Sequence, residues 1–244
     1  MKAYESMYQL LENRILKEQV KPGEYLPSEH HLCQQYNVSR DTVRKALSLL
    51  MANGYIQKIQ GKGSLVLKRE QLRFPISGLT SYQELQHSYG YDGRTVVEKL
   101  VKRVVTPELA EKTGFVLDSS VWELVRTREI DHAKVILDRD YLLCSVIPYL
   151  DTEIGEDSIY RYFEQELHLQ IAFAEKEIRI DQLRDEDRRL LDLNQNDHHI
   201  AAINSRVFLA NAQQFQYTES RHRIDKFRFY DFARRNPSTY KKRE

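Results

Sequence analysis

The stretch "NVSRDTVRKALSLLMANGY", Asn37 to Tyr55, decides how the first part of the chain folds. Its apolar residues recur every three or four positions, which is the spacing of one face of an α-helix. Those residues are Val43, Ala46, Leu47 and Leu50. The stretch therefore predicts an amphipathic helix that buries this face.

The polar side of the same helix carries its cations at the N-terminal end. Arg40, Arg44 and Lys45 fall within the first two turns, where the helix dipole disfavours positive charge. Because this arrangement opposes the stability of the helix taken alone, it indicates a negatively charged partner outside the chain.

Two further helices are predicted around this one. A first helix carries Tyr4, Tyr8, Leu11 and Ile15 on its apolar side and ends before "KPGEYLP", where proline and glycine break it. Ser28 stands where the N-cap of a second helix belongs, and Ser39 is expected to cap the third helix in the same way. The sequence "YNVS" between them is read as the turn.

The third helix is followed by a hairpin pattern. Gly54 is placed to end the helix, and "YIQKIQGKGSLVLK" has two short apolar runs around Gly61, Lys62 and Gly63. Glycine supplies the positive φ that such a turn requires. Three helices followed by a hairpin predict a winged helix-turn-helix, whose second motif helix enters the major groove of DNA.

Charge and composition agree with this division of the chain. Residues 1–69 hold 11 Lys and Arg against 6 Asp and Glu, whereas residues 70–244 hold 26 against 30. A basic head joined to an acidic body suggests that the head binds a polyanion. No apolar run reaches the roughly 18 residues of a membrane helix, and Cys33 and Cys144 lie far apart without metal-ligand spacing. A soluble cytoplasmic protein with no disulfide and no zinc site is expected.

The segment "LPSEHHLCQQYNVSRDTVRKALSLLMANGYIQKIQGKGSLV" resembles the DNA-binding head of the gluconate-operon-repressor-like family of bacterial transcription regulators. The resemblance implies that the helices and the wing tip contact an operator. The candidate DNA-binding residues are Glu29, Ser39, Arg40, Thr42, Arg44, Lys45, Lys62 and Gly63. A local alternative remains for Arg40 and Arg44, which could form a solvated pair one turn apart, and for the two wing glycines, which could serve only a tight turn.

The remainder of the chain predicts an α+β domain built on one antiparallel sheet. Runs such as "VWELVRTREID", "VILDRDYLLC" and "FQYTESRHRID" have strand composition, and short turns such as "DHAK" require antiparallel neighbours. We place the head at residues 1–70, a linker at 71–77 and the second domain at 78–244. The segment "LKREQLRFPISG" around the linker contains Pro75 and Gly78, so it is expected to allow the heads to be re-aimed.

Catalysis and metal binding are disfavoured in this second domain. Asp138 and Asp140 are two carboxylates on one predicted strand face, but no nucleophile motif accompanies them. His198 and His199 have no further ligand at metal spacing and are read as surface residues. No catalytic residue, metal or cofactor is therefore predicted.

Arg126 and Arg128 are more informative. Residues two apart on a strand point to the same side, and two guanidinium groups on one face can clamp a dianion. A phosphorylated small molecule is the natural ligand of such a clamp. Cross-strand ion pairs with the acids of the neighbouring hairpin remain the alternative reading.

The segments "SGLTSY", "VRTR", "VILDRDY", "SIYRYF" and "QYTESRHR" resemble the effector-binding domain of the histidine-utilisation-repressor subfamily, whose fold is similar to chorismate lyase. The resemblance implies a phosphosugar effector. The phosphate would be held by Thr80, Ser81, Arg126, Arg128, Ser158 and Tyr160. The sugar would be held by Asp138, Gln216 and His222, with Glu219 and Arg223 as neighbours.

The segments "NGYIQKIQGKGSLVL", "FPISGL" and "FQYTESRHRIDKFRFYDFARR" further resemble the trehalose-operon branch of this family in low-GC Gram-positive bacteria. That resemblance implies trehalose 6-phosphate as inducer, a homodimer and a palindromic operator. Other effectors remain open, namely another phosphorylated sugar or a small acid. An enzyme related to chorismate lyase and a constitutive architectural DNA protein also remain as alternatives.

Overall fold

The computed structural model of the chain describes residues 2–68 and 93–229. They belong to two compact units, each with its own hydrophobic core. The predicted linker at 71–77 and both predicted domain limits lie outside the described residues.

The first unit is a winged helix-turn-helix, as the sequence predicts. Its elements are α1 (Ala3–Leu16), α2 (Glu29–Tyr36), α3 (Arg40–Ala52), β1 (Ile56–Ile59) and β2 (Gly63–Val66). The predicted stripe of α3 is buried throughout, together with Leu32 of α2 and Ile56 of β1. Burial of this face supplies the free energy that holds the three short helices together.

Local side-chain chemistry sets the ends of these helices. The hydroxyl of Ser28 accepts a hydrogen bond from the backbone N–H of His31, and the hydroxyl of Ser39 accepts one from Thr42. Both predicted N-caps are therefore confirmed. Gly54 has a φ of +75°, which is the left-handed conformation expected just after a helix end.

One detail of α1 differs from the sequence prediction. Met7 is buried with Leu11 and Ile15, whereas Tyr4 and Tyr8 are only half-buried. The hydroxyl of Tyr8 donates to Glu12 at 2.6 Å, so the ring packs on the core while its polar end stays near water.

The hairpin of the first unit has the predicted turn. Strands β1 and β2 pair antiparallel, with Ile56 opposite Val66 and Ile59 opposite Gly63. Gly61 and Gly63 have φ values of +75° and +111°. Residues other than glycine adopt such values only with strain, so the glycines determine the shape of the wing tip.

The second unit is a six-stranded antiparallel sheet with short helices, and the α+β prediction is confirmed. Its strands are β3 (Gly93–Val104), β4 (Ser120–Ile130), β5 (Ala133–Leu143), β6 (Ile171–Gln182), β7 (His199–Leu209) and β8 (Gln214–Arg223), in the order β3-β4-β5-β8-β7-β6. Its helices are α4 (Pro107–Thr113), α5 (Thr152–Glu156), α6 (Ile159–Arg161), which continues into a π-helical turn at Tyr162–Glu166, and α7 (Asp185–Leu190).

The two faces of this sheet are covered by different helices. On one face, Leu124 and Leu142 pack with Phe163 and with residues of α5 and α6. On the other face, Val125 and Leu137 pack with Leu191 beside α7. We call these the α5 face and the α7 face. Alternate residues of a regular strand belong to opposite faces. The α5 face therefore receives the even-numbered residues of β4 up to Arg128, of β5 from Ile136 and of β8 from Gln216 onward.

Among the helices that the structure describes, none is long and apolar enough to cross a membrane.

Candidate functional site

Two arginines of α3 and a lysine of β1 converge on one carboxylate of α2. Glu29, the first residue of α2, accepts from Arg44 Nε at 3.1 Å and from Lys58 Nζ at 2.9 Å, and Arg40 Nε lies 3.8 Å away. The side chain of Glu29 is 19% exposed, whereas those of Arg40 and Arg44 are 71% and 61% exposed. The carboxylate therefore lies beneath the cations, which keep their outer sides open to solvent. We call these four residues the Glu29 cluster.

The charge state of Glu29 follows from these partners. The hydrogen bond from Lys58, opposed by partial burial and reinforced by Arg44, holds the pKa of Glu29 below its ordinary value. Glu29 is therefore ionised wherever the protein is folded near neutral pH. Sequence patterns do not mark Lys58, because a lone lysine on a predicted strand gives no signal of its partner.

The other predicted residues of α3 have local contacts. The hydroxyl groups of Ser39 and Thr42 lie 2.9 Å apart, and Lys45 pairs with Asp41 at 2.8 Å one turn back along the helix. Lys62 and Gly63 are exposed at the wing tip. All eight predicted DNA-binding residues thus lie in the first unit, on α2, α3 and the hairpin.

A small cavity of about 220 Å³ separates these elements. Leu47 and Met51 of α3 and Ile56 of β1 supply its apolar lining, and Glu29 and Lys58 also line it. Glu29, Arg44 and Lys58 of the Glu29 cluster therefore border open space, so their side chains can move without disrupting the core.

In the second unit, Arg126 and Arg128 lie on the α5 face of β4, as predicted. Arg126 Nη2 donates to Asp140 at 2.6 Å, and Arg128 Nε donates to Asp138 at 3.0 Å. All four side chains are buried. The cross-strand ion pairs that the sequence left open as an alternative are thus formed in this structure. We call these four residues the arginine–aspartate cluster.

Backbone geometry brings helix α5 onto this cluster. Arg126 Nη1 donates to the carbonyl oxygen of Gly155 at 3.3 Å. A Cβ atom at position 155 would lie 2.8 Å from Val97 Cγ2 and 3.2 Å from a Leu124 methyl carbon. Glycine is therefore needed there for α5 to approach the sheet closely. No sequence pattern marks Gly155, because the residues that require a glycine there, Val97 and Leu124, are distant along the chain.

Strand β8 adds a row of polar side chains on the same face. Asp140 accepts from Gln216 Nε2 at 3.0 Å and from the hydroxyl of Thr218 at 2.6 Å. Ser220 donates to Asp138, and its hydroxyl lies 2.9 Å from His222 Nε2. The predicted residues Gln216 and His222 therefore do lie beside the arginine–aspartate cluster, which Thr218 and Ser220 extend.

Two buried polar atoms of this face lack a hydrogen-bond partner among the described residues. They are Nε of Arg126, a donor, and Oε1 of Gln216, an acceptor. The amide of Gln216 is fixed in this orientation because its nitrogen faces the acceptor-only carboxylate of Asp140. Buried polar groups ordinarily have a partner, so these two atoms mark positions where a polar ligand or water can bind.

The charge states of the buried groups follow from their surroundings. Burial and the charge of Arg126 lower the pKa of Arg128. Burial by itself raises the pKa of Asp138, but the charges of Arg128 and Arg126 and the hydrogen bond from Ser220 outweigh it and lower the pKa. Burial lowers the pKa of His222 to about 4. At neutral pH the face therefore holds an ionised Asp138 and a neutral His222.

Glu219 does not lie with the other predicted effector residues. It is on the α7 face, where it accepts from Arg184 at 2.9 and 3.0 Å and from Lys112 at 3.0 Å. Burial by itself raises the pKa of Glu219, but these cations outweigh burial and lower the pKa to about 2. Arg223 is, like Glu219, an odd-numbered residue of β8, and it pairs with Asp225 at 2.9 Å. Counting alternate residues from Gln216 would have predicted this, because odd and even positions of a strand face opposite ways.

Of the four remaining predicted phosphate residues, the structure describes two. Ser158 caps α6 by accepting from the backbone N–H of Arg161 at 3.2 Å. The ring of Tyr160 lies 5.9 Å from that of Phe163 and packs on the apolar cluster of the α5 face. Thr80 and Ser81 lie outside the described residues.

Comparison with known proteins finds two family matches and several relatives. Residues 88–228 match the UTRA domain, and residues 3–66 match the bacterial regulatory proteins of the gntR family. The HTH-type transcriptional regulator TreR of Bacillus subtilis is 52% identical over 215 residues, which cover 88% of this chain and 90% of that protein.

Solved structures agree with these matches. The transcriptional regulator YydK of B. subtilis superposes with a TM-score of 0.78 at 28% identity and covers 96% of this chain and 100% of that one. The effector-binding domain of the B. subtilis trehalose repressor superposes with a TM-score of 0.54 at 46% identity and covers 59% of this chain and 99% of that one. These relatives are transcriptional regulators.

Proposed function

This chain belongs to the gntR family of bacterial regulatory proteins and carries a UTRA domain, and we propose that it represses a trehalose-utilisation operon until a phosphosugar binds. It is a DNA-binding transcriptional regulator and not an enzyme, in agreement with the regulators it matches. The effector we propose is trehalose 6-phosphate.

The observation that carries this proposal is the extent of the likeness to TreR. An identity of 52% over 88% of the chain includes both the head and the effector domain. The proposed effector is the finer part of the proposal, and it is supported by the kind of side chains that the α5 face brings together.

Arg126 and Arg128 are suited to hold a phosphate even though each already binds a carboxylate. A guanidinium group has five N–H donors in a planar fork, and its pairing with one carboxylate leaves donors for a second anion. Nε of Arg126 is such a donor, since it is buried without a partner among the described residues. Asp138 and Asp140 would keep both forks oriented while the phosphate binds their remaining donors.

The sugar would bind along β8. Oε1 of Gln216 can accept a hydrogen bond from a hydroxyl group. His222 lies farther along β8, where Ser220 links it to Asp138 of β5. Acceptors suit the hydroxyl groups of a sugar, whereas they would repel a second phosphate. Thr80, Ser81, Ser158 and Tyr160 complete the proposed phosphate end.

On the DNA side, we propose that α3 enters the major groove with Arg40, Thr42 and Arg44 near the base edges, while Ser39 and Lys45 lie close to the backbone. Lys62 and Gly63 would reach the adjacent minor groove. A homodimer joined through residues 78–244 would present two copies of α3 about 34 Å apart, one turn of DNA.

Effector binding would then shift the population toward dimers whose heads no longer match that spacing. The linker at 71–77 would absorb the change in head orientation, and the operon controlled by the freed operator would be transcribed in the cytoplasm. Reciprocity requires that operator DNA weakens effector binding by the same factor.

The test is a titration of the purified repressor–operator complex with sugar phosphates. Trehalose 6-phosphate should release the DNA at concentrations where trehalose, glucose 6-phosphate and inorganic phosphate do not. Sedimentation of the complex should give two chains per palindromic operator. Release by a different phosphosugar alone would replace the proposed inducer, and release by none would refute a phosphosugar effector.

A further inference from the structure

We propose that Glu29 determines how strongly the head prefers its operator over other DNA, and that it does so by positioning Arg44 and Lys58 and not by contacting a base. The inference rests on the proposed entry of α3 into the major groove. It adds a specificity residue that acts through others.

The geometry joins three separate elements at one carboxylate. Glu29 begins α2, Arg44 lies on α3 and Lys58 lies on β1, so the ion pairs bridge 15 and 29 residues of sequence. Lys58 occupies one oxygen of the carboxylate, and Arg44 occupies the other. Glu29 thereby links the orientation of the Arg44 side chain on α3 to that of Lys58 on β1.

The exposure of the partners shows which of them can meet DNA. The cations are more than half exposed, whereas Glu29 is 19% exposed. The neighbouring cavity leaves room for the arginine to move if its carboxylate partner is removed. A carboxylate beneath the cations is poorly placed for bases and is repelled by phosphates, but it restricts the rotamers of the side chains above it.

Restriction of rotamers acts on specific and non-specific binding differently. Non-specific affinity depends on how many phosphates are neutralised and tolerates many side-chain orientations. Base readout requires one orientation, so a guanidinium that is already held loses less entropy on binding. Removal of Glu29 should therefore weaken the preference for the operator, even though it makes the head more positive.

Asp41 of α3 provides a matched control within the head. Its carboxylate pairs with Lys45 alone among the described contacts, at 2.8 Å, and its side chain is 73% exposed. Asp41→Asn and Glu29→Gln remove the same charge from the same helical motif. A pure change of charge should strengthen binding to operator and to unrelated DNA equally.

The experiment measures binding of the full chain to operator and to an unrelated duplex of equal length at several salt concentrations. Asp41→Asn should leave the ratio of the two affinities unchanged. Glu29→Gln should lower that ratio about tenfold. Melting of each variant monitors folding, and Lys58→Met, which leaves the ion pair of Glu29 with Arg44 in place, should give a smaller loss.

Combination with Arg44→Ala decides the mechanism. If Glu29 acts through Arg44, the double variant should lose no more preference than Arg44→Ala alone. Losses that multiply would show independent base contact by Glu29 and would overturn the inference, as would equal ratios for Glu29→Gln and Asp41→Asn. Unchanged operator binding by Arg44→Ala would instead refute the proposed placement of α3.

Discussion

The two charged clusters of this molecule differ in exposure and in net charge. The Glu29 cluster sets three cations against one carboxylate and leaves the cations open to water. The arginine–aspartate cluster sets two cations against two carboxylates, and all four are buried. The first has a positive excess that attracts a polyanion, whereas the second has none.

The difference shows two ways in which arginine serves recognition. Exposed arginines exchange partners at little cost, because water and salt replace whatever they release. Buried arginines are costly to leave unpaired, so their cluster keeps its aspartate partners and admits only a ligand that fits the donors that remain. The first arrangement suits a long polymer with many charges, and the second suits one small molecule of defined shape.

Arg128→Ala should produce the largest effect and contrasts the two clusters directly. It leaves Asp138 buried without its guanidinium partner, which should lower the free energy of unfolding by about 3–5 kcal/mol. Loss of charge-assisted hydrogen bonds should also lower the affinity for trehalose 6-phosphate about ten- to a hundredfold. Arg44→Ala in the exposed cluster should change unfolding by less than about 1 kcal/mol. Urea denaturation and calorimetric titration measure both quantities.

A double variant separates structure from binding in that experiment. Arg128→Met combined with Asp138→Leu removes both charges, and apolar replacement of a buried ion pair is often neutral for stability. Stability should recover, while inducer affinity stays low and operator binding without sugar is preserved. Normal inducer binding by the stable double variant would mean that the ion pairs serve only the fold.

The pH dependence of stability should sharpen the contrast, because the buried face contains a neutral histidine. The pKa of His222 is lowered to about 4, below the ordinary value near 6.5. The unfolded chain therefore takes up this proton first as pH falls. His222 contributes stability in full above about pH 6.5, and about 3 kcal/mol of it is lost by pH 4.

Chemical denaturation of the wild type and His222→Asn between pH 7.5 and 4 checks this slope. The variant should have a flatter profile in that window. Among the described residues, Asp138 is the charged group that acts on His222, through Ser220, and Arg128 pairs with Asp138. Glu219, with a pKa lowered to about 2, loses its contribution as pH falls below about 4.5 and thus mostly outside the window. Identical profiles would contradict a buried neutral His222.

Lys62→Ala, at the exposed wing tip of the head, should give the smallest effect. A lysine that neutralises one phosphate contributes about one unit to the slope of log affinity against log salt. The salt slope should fall by this unit for operator and for unrelated DNA alike, because a phosphate contact carries no base information. Gel shifts across operator variants measure it, and an altered base preference with an unchanged slope would assign Lys62 to base readout instead.

Much of the head could be predicted from sequence because its determinants are local. The buried stripe of α3, the caps at Ser28 and Ser39 and the wing glycines each depend on residues within a few positions. Met7 was overlooked on α1, since two tyrosines gave an equally regular helical pattern. The partners of Glu29 could not be predicted, because α2, α3 and β1 meet only in the folded unit.

In the body, the sequence by itself determined that Arg126 and Arg128 share one strand face and that Asp138 and Asp140 share another, because side chains alternate along a strand. Only the tertiary structure decided that these faces coincide, that Arg126 binds Asp140, and that Gly155 brings α5 onto the same site. Glu219 was separated from the site by the same alternation. Strand order and register arise from packing between distant segments, and no local pattern of residues specifies which strand lies beside which.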